Sequence, residues 1–134
     1  MFKYKNNKVV SCLCGSVKLK AKGKLRHVVN CHCSQCVKTH GNFASYTSIL
    51  EQDIKFISKK NLKWYKSSIK AKRGFCSKCG ASIFYKIIKS KNISISAGLF
   101  QNPTNLTTKY NIFTEGKLDY YSLDNKIKNF KKYY

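Results

Sequence analysis

At 134 residues the chain is sized for one domain, and it carries 27 lysines and arginines against 5 acidic residues, a formal charge of +22. A single proline, no repeat period and no run near the ~20 apolar residues of a membrane span argue against linkers, repeat arrays and a membrane-embedded protein. Lysines outnumber arginines 25 to 2 and are spread along the whole chain, so the charge favours loose contact with anions, including non-specific nucleic acid, without marking a site.

Met1 to Val10 contains three lysines and lacks the apolar run of about 7 or more residues that a secretory leader needs. Short alternating or β-branched runs follow at Val17–Ala21, Val28–Cys31, Phe43–Ile49, Ile54–Ile57, Leu62–Tyr65, Ala81–Ile88, Ile93–Ala97 and Tyr110–Phe113, separated by Gly, Asn, Lys and Ser. One helical turn is expected over Ser34–His40, closed by Gly41 as the left-handed residue after the helix. Phe56, Trp64, Tyr65, Phe75, Phe84 and Phe100 read as core and sheet-face residues. The basic, aromatic stretch 125–134 reads as either a docked terminal segment or a loose tail. The expected class is all-β, in a single domain over 1–134.

Seven cysteines fall into three clusters: Cys12-Leu13-Cys14-Gly15, Cys31-His32-Cys33-Ser34-Gln35-Cys36 and Cys76-Ser77-Lys78-Cys79-Gly80. In C-x-C on extended backbone both sulfurs face one way, and a tight C-x2-C turn aims two sulfurs at one point, so each pair is half a tetrahedral zinc site. Gly15 and Gly80 follow the last cysteine of a pair, where a positive-φ turn lets backbone amides approach thiolate sulfur. Disulfides are the poorer account: one cysteine is left over and C-x-C bridges badly, so a reducing, cytoplasmic compartment is expected. If Cys12, Cys14, Cys76 and Cys79 meet, they close a four-thiolate structural site. Cys31, Cys33 and Cys36 then hold a second zinc with its fourth position open to water or a substrate thiol.

The order C-x-C-G, C-H-C-S-x-C with Gly41 five residues on, and Arg73-Gly74-Phe75-Cys76-Ser77-Lys78-Cys79-Gly80 resembles the glutathione-dependent formaldehyde-activating enzyme family, whose domain is shared with centromere protein V. The resemblance spans roughly 9–123. It implies an all-β tent of small antiparallel sheets, with structural zinc on Cys12, Cys14, Cys76 and Cys79 and catalytic-type zinc on Cys31, Cys33 and Cys36. It further implies a carbon-sulfur lyase activity that joins glutathione, or a similar small thiol, to formaldehyde or another small electrophile. The centromere protein V side suggests the alternative of a zinc-stabilised module that contacts nucleic acid through its basic surface. Val37 and Gly74 stand where the family often has a basic residue and a histidine. Near the ligands, Lys38 is expected to be a solvated helix residue, His40 a polar residue at the helix end and Arg73 a surface or sheet-edge residue. The His32 ring should point away from the metal, because its neighbours Cys31 and Cys33 face it.

Overall fold

A computed structural model describes residues 7–133. The strands are β1 (Lys8–Ser11), β2 (Val17–Ala21), β3 (Val28–Cys31), β4 (Ala44–Leu50), β5 (Ile54–Lys59), β6 (Leu62–Tyr65), β7 (Ala71–Cys76), β8 (Ser82–Ile87), β9 (Asn92–Ser96), β10 (Thr108–Ile112) and β11 (Lys128–Asn129). The only α-helix among the described residues, α1 (Ser34–His40), ends at Gly41, which has φ 80° and donates its N–H to the Val37 carbonyl.

Two sheets result, and the all-β class expected from the sequence is the class observed. A small antiparallel sheet has the order β1-β2-β5, and an eight-stranded sheet has the order β11-β10-β3-β4-β9-β8-β7-β6. The large sheet is mixed, because β10 runs parallel to both β3 and β11. Alternation in Val17-Lys18-Leu19-Lys20-Ala21 sends Val17, Leu19 and Ala21 inward and the lysines outward. These residues meet Ile49, Ile83, Phe84, Ile93 and Ile95 of the large sheet in the main core. Each such aliphatic side chain contributes roughly 1.5–3 kcal/mol by leaving water.

Of the aromatic residues, Phe84 and Phe100 are buried, whereas Phe56, Trp64 and Tyr65 lie on sheet faces with solvent access. Trp64 stacks on Phe84 at 5.5 Å, and Lys72 sits over its indole ring. The C-terminal stretch is docked: β11 pairs with β10, Phe130 N–H donates to the Asn111 carbonyl, and Phe113 N–H donates to the Lys132 carbonyl. No helix of the described residues is long and apolar enough to cross a membrane.

Candidate metal centres and the adjoining cavity

The β1–β2 turn carries Cys12 and Cys14, and the β7–β8 turn carries Cys76 and Cys79. Gly15 (φ 82°) and Gly80 (φ 79°) let the two turns close, with Gly15 N–H donating to the Cys12 carbonyl and Gly80 N–H to the Cys76 carbonyl. The four sulfurs lie within 4.8 Å of one another and so fasten the small sheet to the large one.

Tetrahedral zinc with Zn–S bonds of about 2.3 Å requires sulfurs about 3.8 Å apart. Cys12 Sγ lies 3.7 Å from Cys14 Sγ, which lies 3.7 Å from Cys76 Sγ, a spacing that fits a shared ion and is far too long for a disulfide. Amide N–H groups already point at sulfur: Val17 N to Cys12 Sγ and Cys79 N to Cys76 Sγ, each at 3.4 Å. The Ser16 hydroxyl, 3.3 Å from Cys76 Sγ, holds that thiol down at about 6. This donor set suits a soft, thiolate-preferring ion.

The second cluster forms where β3 runs into α1. Cys31 ends the strand, Cys33 caps the helix by accepting from Cys36 N–H at 3.4 Å, and Cys36 lies buried one turn on. Their three sulfurs also lie within 4.8 Å of one another. Hydrogen bonds from the Cys31 and Cys36 thiols hold Cys33 far below the ordinary thiol range, with the Arg73 guanidinium adding to the effect, while Cys31 is pushed up in return. The trio therefore favours negative charge on Cys33, the state in which sulfur binds metal.

Arg73 is not at a surface or sheet edge. Its strand, β7, runs between β6 and β8, and the side chain is buried. Nη2 lies 3.5 Å from Cys36 Sγ and 3.3 Å from Gln35 Oε1, and Nη1 donates to the Tyr46 hydroxyl at 3.2 Å. The guanidinium sits over the Tyr85 ring, and its buried Nε has no partner among the described residues. Among the described residues no carboxylate is paired with it, and the thiolates of Cys36 and Cys33 are its counter-charge. His40 Nε2 lies 2.9 Å from the Tyr46 hydroxyl, and burial, reinforced by Arg73, keeps the imidazole neutral. Burial also pushes the Tyr46 phenol above its ordinary range. Lys38 is exposed, as expected for a solvated helix residue.

A cavity of about 800 Å³ opens beside this cluster, within the ~300–1,000 Å³ typical of small-molecule sites. Cys31, Cys33 and Cys36 line it together with Arg26, Arg73, Tyr46, Tyr85, Ser48 and Ser94. Ser48 pairs with Ser94 across β4 and β9, so the floor of the cavity is one face of the large sheet. Sequence reasoning left Arg26, Tyr46 and Tyr85 unassigned; the scarcity of arginine was the one clue to Arg26.

Residues 7–116 match the family model described as glutathione-dependent formaldehyde-activating enzyme. A protein of Schizosaccharomyces pombe (strain 972 / ATCC 24843) named as an uncharacterized lyase is 29% identical over 122 residues, which cover 90% of this chain and 88% of that one. A crystal structure of a Rhodobacter sphaeroides protein superposes with a TM-score of 0.60 at 19% identity, over 75% of this chain and 99% of that chain. The last likeness is one of fold.

Proposed function

Because the chain belongs to the glutathione-dependent formaldehyde-activating enzyme family, we propose that it is a zinc-dependent carbon-sulfur lyase. It joins glutathione or a similar small thiol to formaldehyde or another small electrophile at Cys31, Cys33 and Cys36. One observation carries the reading: three sulfurs within 4.8 Å of one another form part of the wall of a cavity large enough for a tripeptide. Cys12, Cys14, Cys76 and Cys79 hold the structural zinc. Three local thiolates leave a fourth position open, and zinc bound there would acidify a substrate thiol and polarise an aldehyde oxygen.

The surrounding residues set the conditions for that chemistry. Arg73 offsets the excess negative charge of the thiolates and stands where negative charge develops on the aldehyde oxygen. Tyr46 fixes Arg73 by accepting from Nη1, and Tyr85 packs against its face. Buried Ile112 and Val29 help keep water from the reacting groups. The sulfur electron pair forms the C–S bond, the carbonyl π pair moves to oxygen, and the proton lost from sulfur ends on that oxygen. The S-hydroxymethyl adduct forms without oxidation or reduction.

Seven unpaired thiols support a reducing, cytoplasmic compartment, and the shared core of the two sheets supports one domain over 1–134. The test is exchange NMR with 13C-formaldehyde and glutathione on zinc-loaded protein. Acceleration of adduct formation over the spontaneous rate, lost in a folded Cys33→Ser variant, is expected. A wild-type rate equal to the spontaneous one would refute the reading.

A further inference from the structure

The chain has two arginines among 27 basic residues, and both line the same cavity. Among the described residues, no lysine and no carboxylate lines it. In a chain that uses lysine almost everywhere for positive charge, guanidinium occurs only where the cavity is walled. The two differ in what they face. Arg73 is turned to the cysteine cluster through Cys36 Sγ. Arg26 has no sulfur partner, so its charge is available to whatever enters.

Arg26 is also held in place before any ligand arrives. Its backbone N–H donates to the Ser48 carbonyl and its carbonyl accepts from Thr47 Oγ1, which extends the β3–β4 pairing past the end of β3. In the side chain, Nε donates to the His27 carbonyl at 3.1 Å and Nη2 to the Tyr46 carbonyl at 3.0 Å. Those two bonds use one edge of the guanidinium. The outer edge, Nη1 with the second Nη2 hydrogen, has no partner among the described residues. That edge has the two parallel N–H groups that grip a carboxylate bidentately. Tyr46 links the two arginines, with its carbonyl on Arg26 and its hydroxyl on Arg73.

We infer that Arg26 is the specificity-determining residue of this cavity, binding a carboxylate of the thiol substrate and so selecting carboxylated thiols over neutral ones. The inference rests on the proposed thiol chemistry for the identity of the ligand, but not for the anion subsite itself. Because the guanidinium is anchored by backbone carbonyls, little side-chain freedom is lost when the carboxylate binds. Arg26→Gln should therefore act on ligand affinity according to ligand charge, which a merely structural role would not do.

The experiment is calorimetric titration of the zinc-loaded protein with glutathione, S-methylglutathione and S-methylglutathione dimethyl ester, using wild type, Arg26→Gln and Arg26→Lys. Wild type should bind S-methylglutathione at least about tenfold more tightly than its diester, as expected where a charged partner is lost. Arg26→Gln should abolish that preference, and Arg26→Lys should restore part of it. The inference is overturned if wild type does not distinguish acid from ester, if it binds neither acid, or if Arg26→Gln weakens acid and ester equally. Should Arg26→Gln fail to fold, Arg26→Lys decides, because it keeps the charge but loses the fork and must reduce the acid-to-ester ratio. The thiol reading fails separately: glutathione would then bind no more tightly than S-methylglutathione while both still depend on Arg26.

Discussion

The Tyr121 hydroxyl lies 2.6 Å from Nδ1 of His32, a ring flanked in sequence by two cysteines of the open cluster. On its other side Nε2 lies 2.9 Å from Asn111 Oδ1, and Asn111 Nδ2 donates to Asn129 Oδ1 at 2.7 Å. The Asn111 oxygen is thus the acceptor, which puts the His32 proton on Nε2 and leaves Nδ1 to accept from Tyr121. Segments about 80 or more residues beyond the cysteines in sequence are tied to one neutral imidazole pointing away from the sulfurs. The segment Cys31-His32-Cys33 is held from behind.

His32→Ala should strand the buried Asn111 amide, a cost of about 1–3 kcal/mol. Metal affinity at Cys31, Cys33 and Cys36 should fall about 10–100-fold, as when outer-shell partners of ligands are lost. Competition against a chromophoric chelator measures the second effect. An unchanged affinity would show that the helix cap alone positions the cysteines.

Cys76→Ser and Cys33→Ser should part company. The first removes a sulfur that joins two sheets, and zinc binding in small domains supplies about 10–16 kcal/mol of folding free energy, so unfolding or aggregation is expected. The second opens a local cluster between β3 and α1 and should leave a cooperative melt. Mild chelation should likewise empty the three-cysteine site first. Circular dichroism melts with a metal count check both, and a stable Cys76→Ser protein with full metal content would remove the structural role from the four-cysteine cluster.

Much of this was legible in the sequence because it is local. The strand runs from Val17–Ala21 to Ile93–Ala97 show alternation, and α1 runs over Ser34–His40 and closes at Gly41 as the spacing implied. The cysteine clusters announce themselves by short spacing, and the structure brings together the two sets expected. What stayed hidden depends on long-range pairing. β7 (Ala71–Cys76) has a lysine, an arginine and a glycine at its centre and shows no strand alternation, yet it is interior because β6 and β8 flank it. Arg73 was therefore placed outside, and Tyr46 passed as an ordinary strand residue.

Gly74 shows the same dependence. A Cβ there would lie 2.9 Å from Phe84 Cδ2 and 3.1 Å from Trp64 Cζ3, so the Trp64–Phe84 stack fills the space that a side chain would need. This accounts for glycine at position 74. Gly74→Ala should cost about 1–3 kcal/mol through overpacking and disturb Trp64 fluorescence. A melt and emission spectrum identical to wild type would mean that the stack gives way freely.

All three histidines are held below their ordinary range, in each case chiefly by burial: His27, with Arg26 and Lys109 adding; His32, with Lys117 adding; and His40, with Arg73 adding. The unfolded chain takes up these protons near the ordinary histidine value of about 6.5, and the folded chain resists them. Below that value the unfolded state binds more protons, so stability should rise with pH through this window and fall as pH drops from about 7 to 5. Urea midpoints in the pH series test the sign. A midpoint flat across that window, or rising toward acid, would contradict it.

The charge itself supplies the last test. The described lysines lie outside the cavity, many of them exposed, such as Lys20, Lys24, Lys55, Lys59, Lys63 and Lys66, while the positive charge that the described residues bring to the cavity is guanidinium. Polyanion contact and ligand recognition should therefore be separable. Duplex DNA should bind weakly, without sequence preference, with affinity falling at a log–log slope of about −0.9 per phosphate contact as salt rises. Thiol binding should change far less over the same range, because it depends on the central cysteines and on two anchored arginines. Cys33→Ser removes a proposed metal ligand and leaves Arg26 and the lysines in place, so it should weaken glutathione binding to the level of S-methylglutathione and leave the DNA curve unchanged. If a folded Cys33→Ser protein binds glutathione as tightly as wild type at physiological salt, or if DNA binds in a salt-resistant, sequence-selective way, the basic module becomes the better account of the chain.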